Sequence, residues 1–185
     1  MPRVSVGLPV YNGERFIAEA LSGILEQTFE DLELIISDNG STDDTRAICR
    51  EFVARDKRVT YYRNEQNLGL SWNYRRVFEL SSGAYFKWAA YDDVCAPTFI
   101  ARCVDALDRD PRVVLAHAKA SIINEFGERQ RECEGSLHLQ SPRPSERLIQ
   151  FFRNLRLSNE GRSRLCPDTT HTWSIGKRSK DFTPI

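Results

Sequence analysis

Three observations predict an α/β fold with a mostly parallel central sheet. Short apolar runs rich in Val, Ile and Leu alternate with segments of helical period through about residue 110. Polar clusters follow directly on three of those runs, where open α/β sheets bind ligands. The chain has 185 residues, enough to bury one substantial core.

The elements follow in order. Residues 3 to 10, RVSVGLPV, read as a buried strand that Asn12-Gly13 ends. A helix is expected from about Glu14 to Gln27, because Phe16, Ile17, Ala20, Leu21, Ile24 and Leu25 recur at helical spacing. LELIIS (32 to 37) reads as the second strand. Ser41 to Asp44 has capping-box character and is expected to start a helix reaching about Arg55. Val59 to Tyr62 form a third strand. The polar loop RNEQNLG leads to a helix from about Ser71 to Leu80, and Ala84 to Trp88 form a fourth strand. Pro97 suits the first turn of a helix to Leu107. Residues 113 to 123 read as one or two further strands. Ser145 is expected to cap a helix carrying Leu148, Ile149, Phe151, Phe152 and Leu155. From Asn159 the apolar period is lost, so residues 159 to 185 are expected to form an irregular tail that packs poorly.

Composition narrows the function classes. Lys plus Arg and Asp plus Glu number 26 each, a balance that argues against a nucleic-acid-coating protein. Five cysteines lack C-x-x-C spacing and are expected to be reduced packing residues. No apolar stretch approaches the roughly 20 residues of a membrane span, and no leader is evident. A cytoplasmic chain is expected, with docking to the inner face of a membrane left open. His117, His138 and His171 lack ligand spacing, and no phosphate-binding glycine motif or nucleophile elbow occurs.

Three clusters could carry chemistry. After the first strand, Tyr11 offers a flat face to a base or sugar and the main chain near Pro9 could meet a base edge. A plain turn capped by Asn12 is the alternative. After the second, Asp38 could accept the imide N–H of uracil through a charge-assisted hydrogen bond, or could simply cap a helix. After the fourth, Asp92 and Asp93 adjoin an apolar strand, a costly arrangement unless a cation joins them. Mg²⁺ or Mn²⁺ on a diphosphate suits such oxygen ligands. Neighbouring side chains in extended backbone point opposite ways, so one acid could hold the metal while the other reaches a ribose hydroxyl. A solvated acidic turn is the alternative.

Taken together, VSVGLPVYNGERFIAEALSGILEQTF, LELIISDNGSTDDT and NEQNLGLSWNYRRVFELSSGAYFKWAAYDD resemble, in order, the opening motifs of the family 2 glycosyltransferases. The resemblance spans residues 3 to 125. It implies a GT-A type fold, a Rossmann-like α/β/α sandwich that binds a nucleoside-diphosphate sugar, UDP-linked by preference. It implies that Pro9, Tyr11 and Asp38 hold the base with Asn39 nearby, that Asn67, Gly69 and Asn73 lie near the nucleotide, and that Asp92 and Asp93 match the end of a D-x-D motif. The usual first acid of that motif is replaced, since the run is Ala90-Tyr91-Asp92-Asp93. Asp93 is then the metal ligand and Asp92 a nucleotide contact, with a divalent metal (Mg or Mn) as cofactor.

The implied reaction is inverting transfer to a hydroxyl of a saccharide or lipid-linked acceptor, as in cell-envelope polysaccharide biosynthesis. The family's general base lies further downstream. Glu160 and Asp168 are isolated, and Asp181 sits in a basic segment, so no base is identified. Three divisions are expected: a nucleotide-sugar-binding domain (1–125), a partial acceptor-side region with one helix (126–158) and the tail (159–185), truncated or altered after about residue 160. A binding module without a base and a nucleotidyltransferase are the competing readings. The latter would normally carry an Arg- and Lys-bearing glycine loop after the first strand, which PVYNGERF lacks.

Overall fold

The structure, a computed structural model, describes residues 1–118, 121–132 and 174–177. The chain divides into two compact units, one of Met1–Ala118 with Thr170–Ile185 and one of Lys119–Thr169. The first holds β1 (Val4–Val10), α1 (Ile17–Leu25), β2 (Leu32–Asp38), α2 (Thr45–Arg55), β3 (Val59–Arg63), α3 (Leu70–Leu80), β4 (Tyr85–Trp88), α4 (Phe99–Arg109) and β5 (Leu115–His117). The second holds β6 (Ser121–Ile123) and β7 (Arg129–Glu132), an antiparallel pair. A last strand, β8 (Ser174–Lys177), returns to the first unit.

The main sheet runs in the order β3-β2-β1-β4-β8-β5. The strands β3, β2, β1 and β4 are parallel, while β8 lies antiparallel between β4 and β5. Strand alternation explains the layers. Val4, Val6, Leu8 and Val10, with Leu34 and Ile36 of β2, join one core with α1, α2 and α4. Ile35 and Phe86 point the other way, against Val77 of α3. The result is the predicted α/β/α sandwich. Strand order turns back at β1, with β2 and β3 on one side and β4 on the other, so the carboxyl ends of β1 and β4 flank a topological switch point.

Several boundaries differ from expectation for local reasons. Helix α1 begins at Ile17, not Glu14. Asn12 adopts φ 52° and the Glu14 amide donates to Asp43, so residues 14 to 16 form a turn. Ser41 does not cap α2. Its hydroxyl accepts the Asn12 amide at 2.9 Å, and α2 starts at Thr45, whose amide donates to Asp43. Pro97 precedes α4 by two residues, and its carbonyl accepts the Thr28 amide at 2.8 Å.

The larger difference is β8. The segment expected to be an irregular tail contains a strand at Ser174–Lys177, and Ile175 in it is completely buried. Cross-strand pairing supplies what local pattern does not: Gly176 pairs with Phe86 on one side and Leu115 on the other. The remainder of that segment and the helix expected after Ser145 lie outside the described residues.

Candidate functional site

The turn after β1 and the one after β2 are fastened to each other. The Asn39 amide donates to the Val10 carbonyl at 2.8 Å, and Asn12 Oδ1 accepts the Thr42 amide at 2.9 Å. Gly40 has φ 79°, and a Cβ on it would lie 2.9 Å from the Gln66 backbone, so only glycine lets the 64–69 loop close down here. Asn39 ties that loop in. Its Nδ2 donates to Asn67 Oδ1 and the Gly69 carbonyl, and its Oδ1 accepts from Asn64 Nδ2 and the Leu68 amide. Asn73, at the start of α3, bonds the Ser37 hydroxyl and carbonyl and reaches the Val10 carbonyl at 3.4 Å. The loop after β4 joins at Gly13, where an added Cβ would come within 2.9 Å of the Tyr91 ring.

The sequence-predicted residues therefore meet at one edge of the sheet, in different states. Pro9 is buried within β1, and Tyr11 is 43% exposed at its end. Asn67 and Gly69 are exposed, whereas Asn39 and Asn73 are buried. Asp38 faces inward. Its side chain has no solvent exposure, Oδ1 accepts the Ser41 amide at 2.8 Å, Oδ2 accepts the Tyr61 hydroxyl at 2.5 Å, and Arg63 lies 3.5 Å away. A carboxylate has about four acceptor positions. Asp38 thus keeps lone pairs for a ligand, but a base reaches them only if the surrounding turn yields.

Asp92 and Asp93 follow β4 and are half-buried. Burial first, and the neighbouring Asp93 second, push the Asp92 carboxyl above its usual range. Asp93 Oδ2 is buried and has no hydrogen-bond partner among the described residues. A buried, unpartnered carboxylate oxygen fits a hard divalent cation. No group of three or more His, Cys, Asp or Glu side chains that could hold a metal occurs among the described residues. A cation here would therefore need oxygens from its ligand.

Sequence reasoning missed Lys87. It lies mid-strand in β4, is 1% exposed, and its ammonium donates to the Trp88 carbonyl at 2.9 Å. The available signal was a lone lysine inside the apolar run AYFKWAA. His117 is exposed on β5, while His138, His171, Glu160, Asp168 and Asp181 lie outside the described residues.

Sequence comparison decides the lineage of this arrangement. Residues 5–180 match the family described as Glycosyl transferase family 2. The chain belongs to that family. An uncharacterized glycosyltransferase of Haemophilus influenzae is 35% identical over 124 residues, 67% of this chain and 38% of the relative. Chondroitin synthase of Escherichia coli is 34% identical over 110 residues, 60% of this chain and 16% of that enzyme. The chain thus spans well under half the length of these relatives. Among solved structures, the mannosyltransferase PcManGT from Pyrobaculum calidifontis, in complex with GDP-Man and Mn²⁺, superposes with a TM-score of 0.62 at 19% identity. The match covers 96% of this chain and 45% of that one. TarS of S. aureus in complex with UDP-GlcNAc gives 0.54 at 24% identity, over 58% of this chain and 31% of TarS. These likenesses establish the GT-A fold of this family 2 chain.

Proposed function

We propose that this family 2 chain forms the donor-binding part of a glycosyltransferase. It would take its sugar from a nucleoside-diphosphate sugar, UDP-linked by preference, for inverting transfer to a saccharide or lipid-linked hydroxyl. The observation that carries the proposal is the convergence of the loops that follow β1, β2, β3 and β4 near the β1/β4 switch point, where exposed Tyr11 lies and where an Asp93 oxygen has no partner among the described residues. Complexes of structural neighbours with UDP-GlcNAc and with GDP-Man and Mn²⁺ support the ligand class.

In this reading Tyr11 stacks on the base, Pro9 presents main chain to its edge and Asp38 offers its remaining lone pairs. Asn39 and Asn73 hold the floor, and the Asn67–Gly69 turn borders the nucleotide. Asp92 takes a ribose hydroxyl, and Asp93 holds a divalent Mg or Mn ion. Such a cation, when bound, offsets the negative charge that grows on the departing diphosphate. No described residue is assigned as the base that takes the acceptor proton. Balanced charge favours no nucleic-acid partner. A cytoplasmic location, peripheral contact with the inner membrane face and a part in cell-envelope polysaccharide synthesis complete the proposal. Among the described residues, no helix is long and apolar enough to cross a membrane.

A thermal-shift screen with nucleoside-diphosphate sugars, with and without Mn²⁺, tests the proposal. Binding of the correct donor raises the unfolding temperature, and Mn²⁺ enlarges the rise. No shift with any sugar nucleotide would sink it. Binding with no transfer to any acceptor would favour the binding-module reading.

A further inference from the structure

Most of the acceptor capacity of Asp38 is already filled from within the fold, and what fills it decides what a ligand can still use. A carboxylate has about four acceptor positions, shared between its two oxygens. Oδ1 takes the Ser41 amide, and Oδ2 takes the Tyr61 hydroxyl. Burial first, and Asp38 second, push the Tyr61 phenol above its ordinary value, so near pH 7 that hydroxyl keeps its proton and donates. The Arg63 guanidinium stands 3.5 Å from the same Oδ2, a charge contact that covers the second position on that oxygen. Strand register explains why both converge there. Arg63 pairs directly with Asp38 from the edge strand β3, and Tyr61, two residues earlier, shares its face. Among the described residues, one acceptor position on Oδ1 is left unfilled.

Arg63 also brings donors. Its guanidinium carries several N–H groups in a rigid fork. One of them, on Nη2, is anchored to the Ser41 carbonyl at 3.1 Å, and the side chain is still 32% exposed. A ligand that reaches Asp38 therefore meets a single acceptor beside a solvent-reaching donor. The bases differ in how they match that pair. Uracil shows one N–H between two carbonyls. Guanine shows two adjacent N–H donors beside one carbonyl and calls for both carboxylate oxygens. Cytosine shows a ring acceptor where uracil has its N–H, and that acceptor faces a negative oxygen.

We propose that Tyr61 and Arg63 select the base: they hold Oδ2 of Asp38 so that one acceptor stays unfilled beside the guanidinium, a pair that takes the imide edge of uracil and turns away the paired donors of guanine. The proposal rests on the donor-site reading above. In it Arg63 meets a carbonyl of the base, while Tyr61 is a positioning residue that acts through Asp38.

The test is calorimetric titration of UDP, CDP, GDP and inosine diphosphate (IDP), each with Mn²⁺, into the parent chain, Tyr61→Phe and Arg63→Met. GDP and IDP match in ring size and differ by the guanine amino group, the second donor. The parent should bind UDP most tightly, and IDP about tenfold more tightly than GDP, whose amino group finds no acceptor. Tyr61→Phe frees a position on Oδ2 and should narrow the preference for IDP over GDP several-fold. Arg63→Met also removes the donor to the uracil carbonyl, so UDP should weaken about tenfold and its lead over GDP should shrink. Damage to the turn alone weakens all four nucleotides together, so the ratios separate selection from support. A ratio unchanged in either variant would remove that residue from the selection. GDP bound by the parent as tightly as IDP or UDP would overturn the proposal outright, without any variant and with the donor-site reading intact. Binding of none of the four to the parent would overturn both.

Discussion

Asp38 holds the Ser41 amide and the Tyr61 hydroxyl inside the turn after β2. Asp38→Ala leaves both donors without that acceptor and should cost about 1–3 kcal/mol in urea unfolding. Asp38→Asn keeps an acceptor and the size but loses the charge. If Asp38 also meets the base, this variant should weaken UDP binding by about 1.5–3 kcal/mol in calorimetry. Unchanged affinity would restrict Asp38 to holding the turn. Tyr61 gives the same network a pH signature. Burial first and Asp38 second push its phenol above its ordinary value of 10. The folded state therefore binds that proton more tightly than the unfolded chain. The associated stability is fully present below pH 10 and is lost as pH rises through the folded value. Tyr61→Phe should shallow the alkaline decline in stability, and an unaltered alkaline limb would contradict this linkage. At this scale the sequence located polar residues at strand ends but not their directions. Asp38 turned inward because two donors await it there, one of them 23 residues away.

At the scale of elements, β8 shows where local pattern stops being informative. Val4–Val10 and Leu32–Asp38 declare themselves through apolar content alone, because both are long and buried along nearly their whole length. Ser174–Lys177 has only four residues, with Ile175 completely buried, and its partners lie far away in sequence. Its stability is nonlocal, which a period search along the chain cannot register. The helix starts erred for a related reason: Ser41 serves the Asn12 amide across the turn, and Asp43 is shared between the Glu14 amide across the turn and the first amide of α2. The structure makes β8 a working part of the sheet. Ile175→Ala should therefore destabilise by about 2–5 kcal/mol, in line with other buried aliphatic truncations. The Lys177 amide, which donates to the Val114 carbonyl at 3.0 Å, should exchange slowly with deuterium. A neutral Ile175→Ala together with fast exchange at Lys177 would remove β8 from the sheet.

For the whole molecule, the parallel part of the sheet and its switch point were legible from the alternation of strands and helices. That order places Tyr11, Asn39 and the Asp92-Asp93 loop at one edge. The burial of Lys87 in β4 was not, because a strand period says which face a side chain takes but not that a lysine on it is sealed from solvent. The central claim is that this edge binds a nucleoside diphosphate with a divalent cation through Asp93. Calorimetric titration of UDP, with and without Mn²⁺, into the parent chain and into Asp93→Ala tests it most directly. The account predicts that Mn²⁺ strengthens UDP binding to the parent and has no such effect on Asp93→Ala, which stays folded by circular dichroism. An equal Mn²⁺ response in the two proteins, or no UDP binding to the parent in either condition, would contradict it.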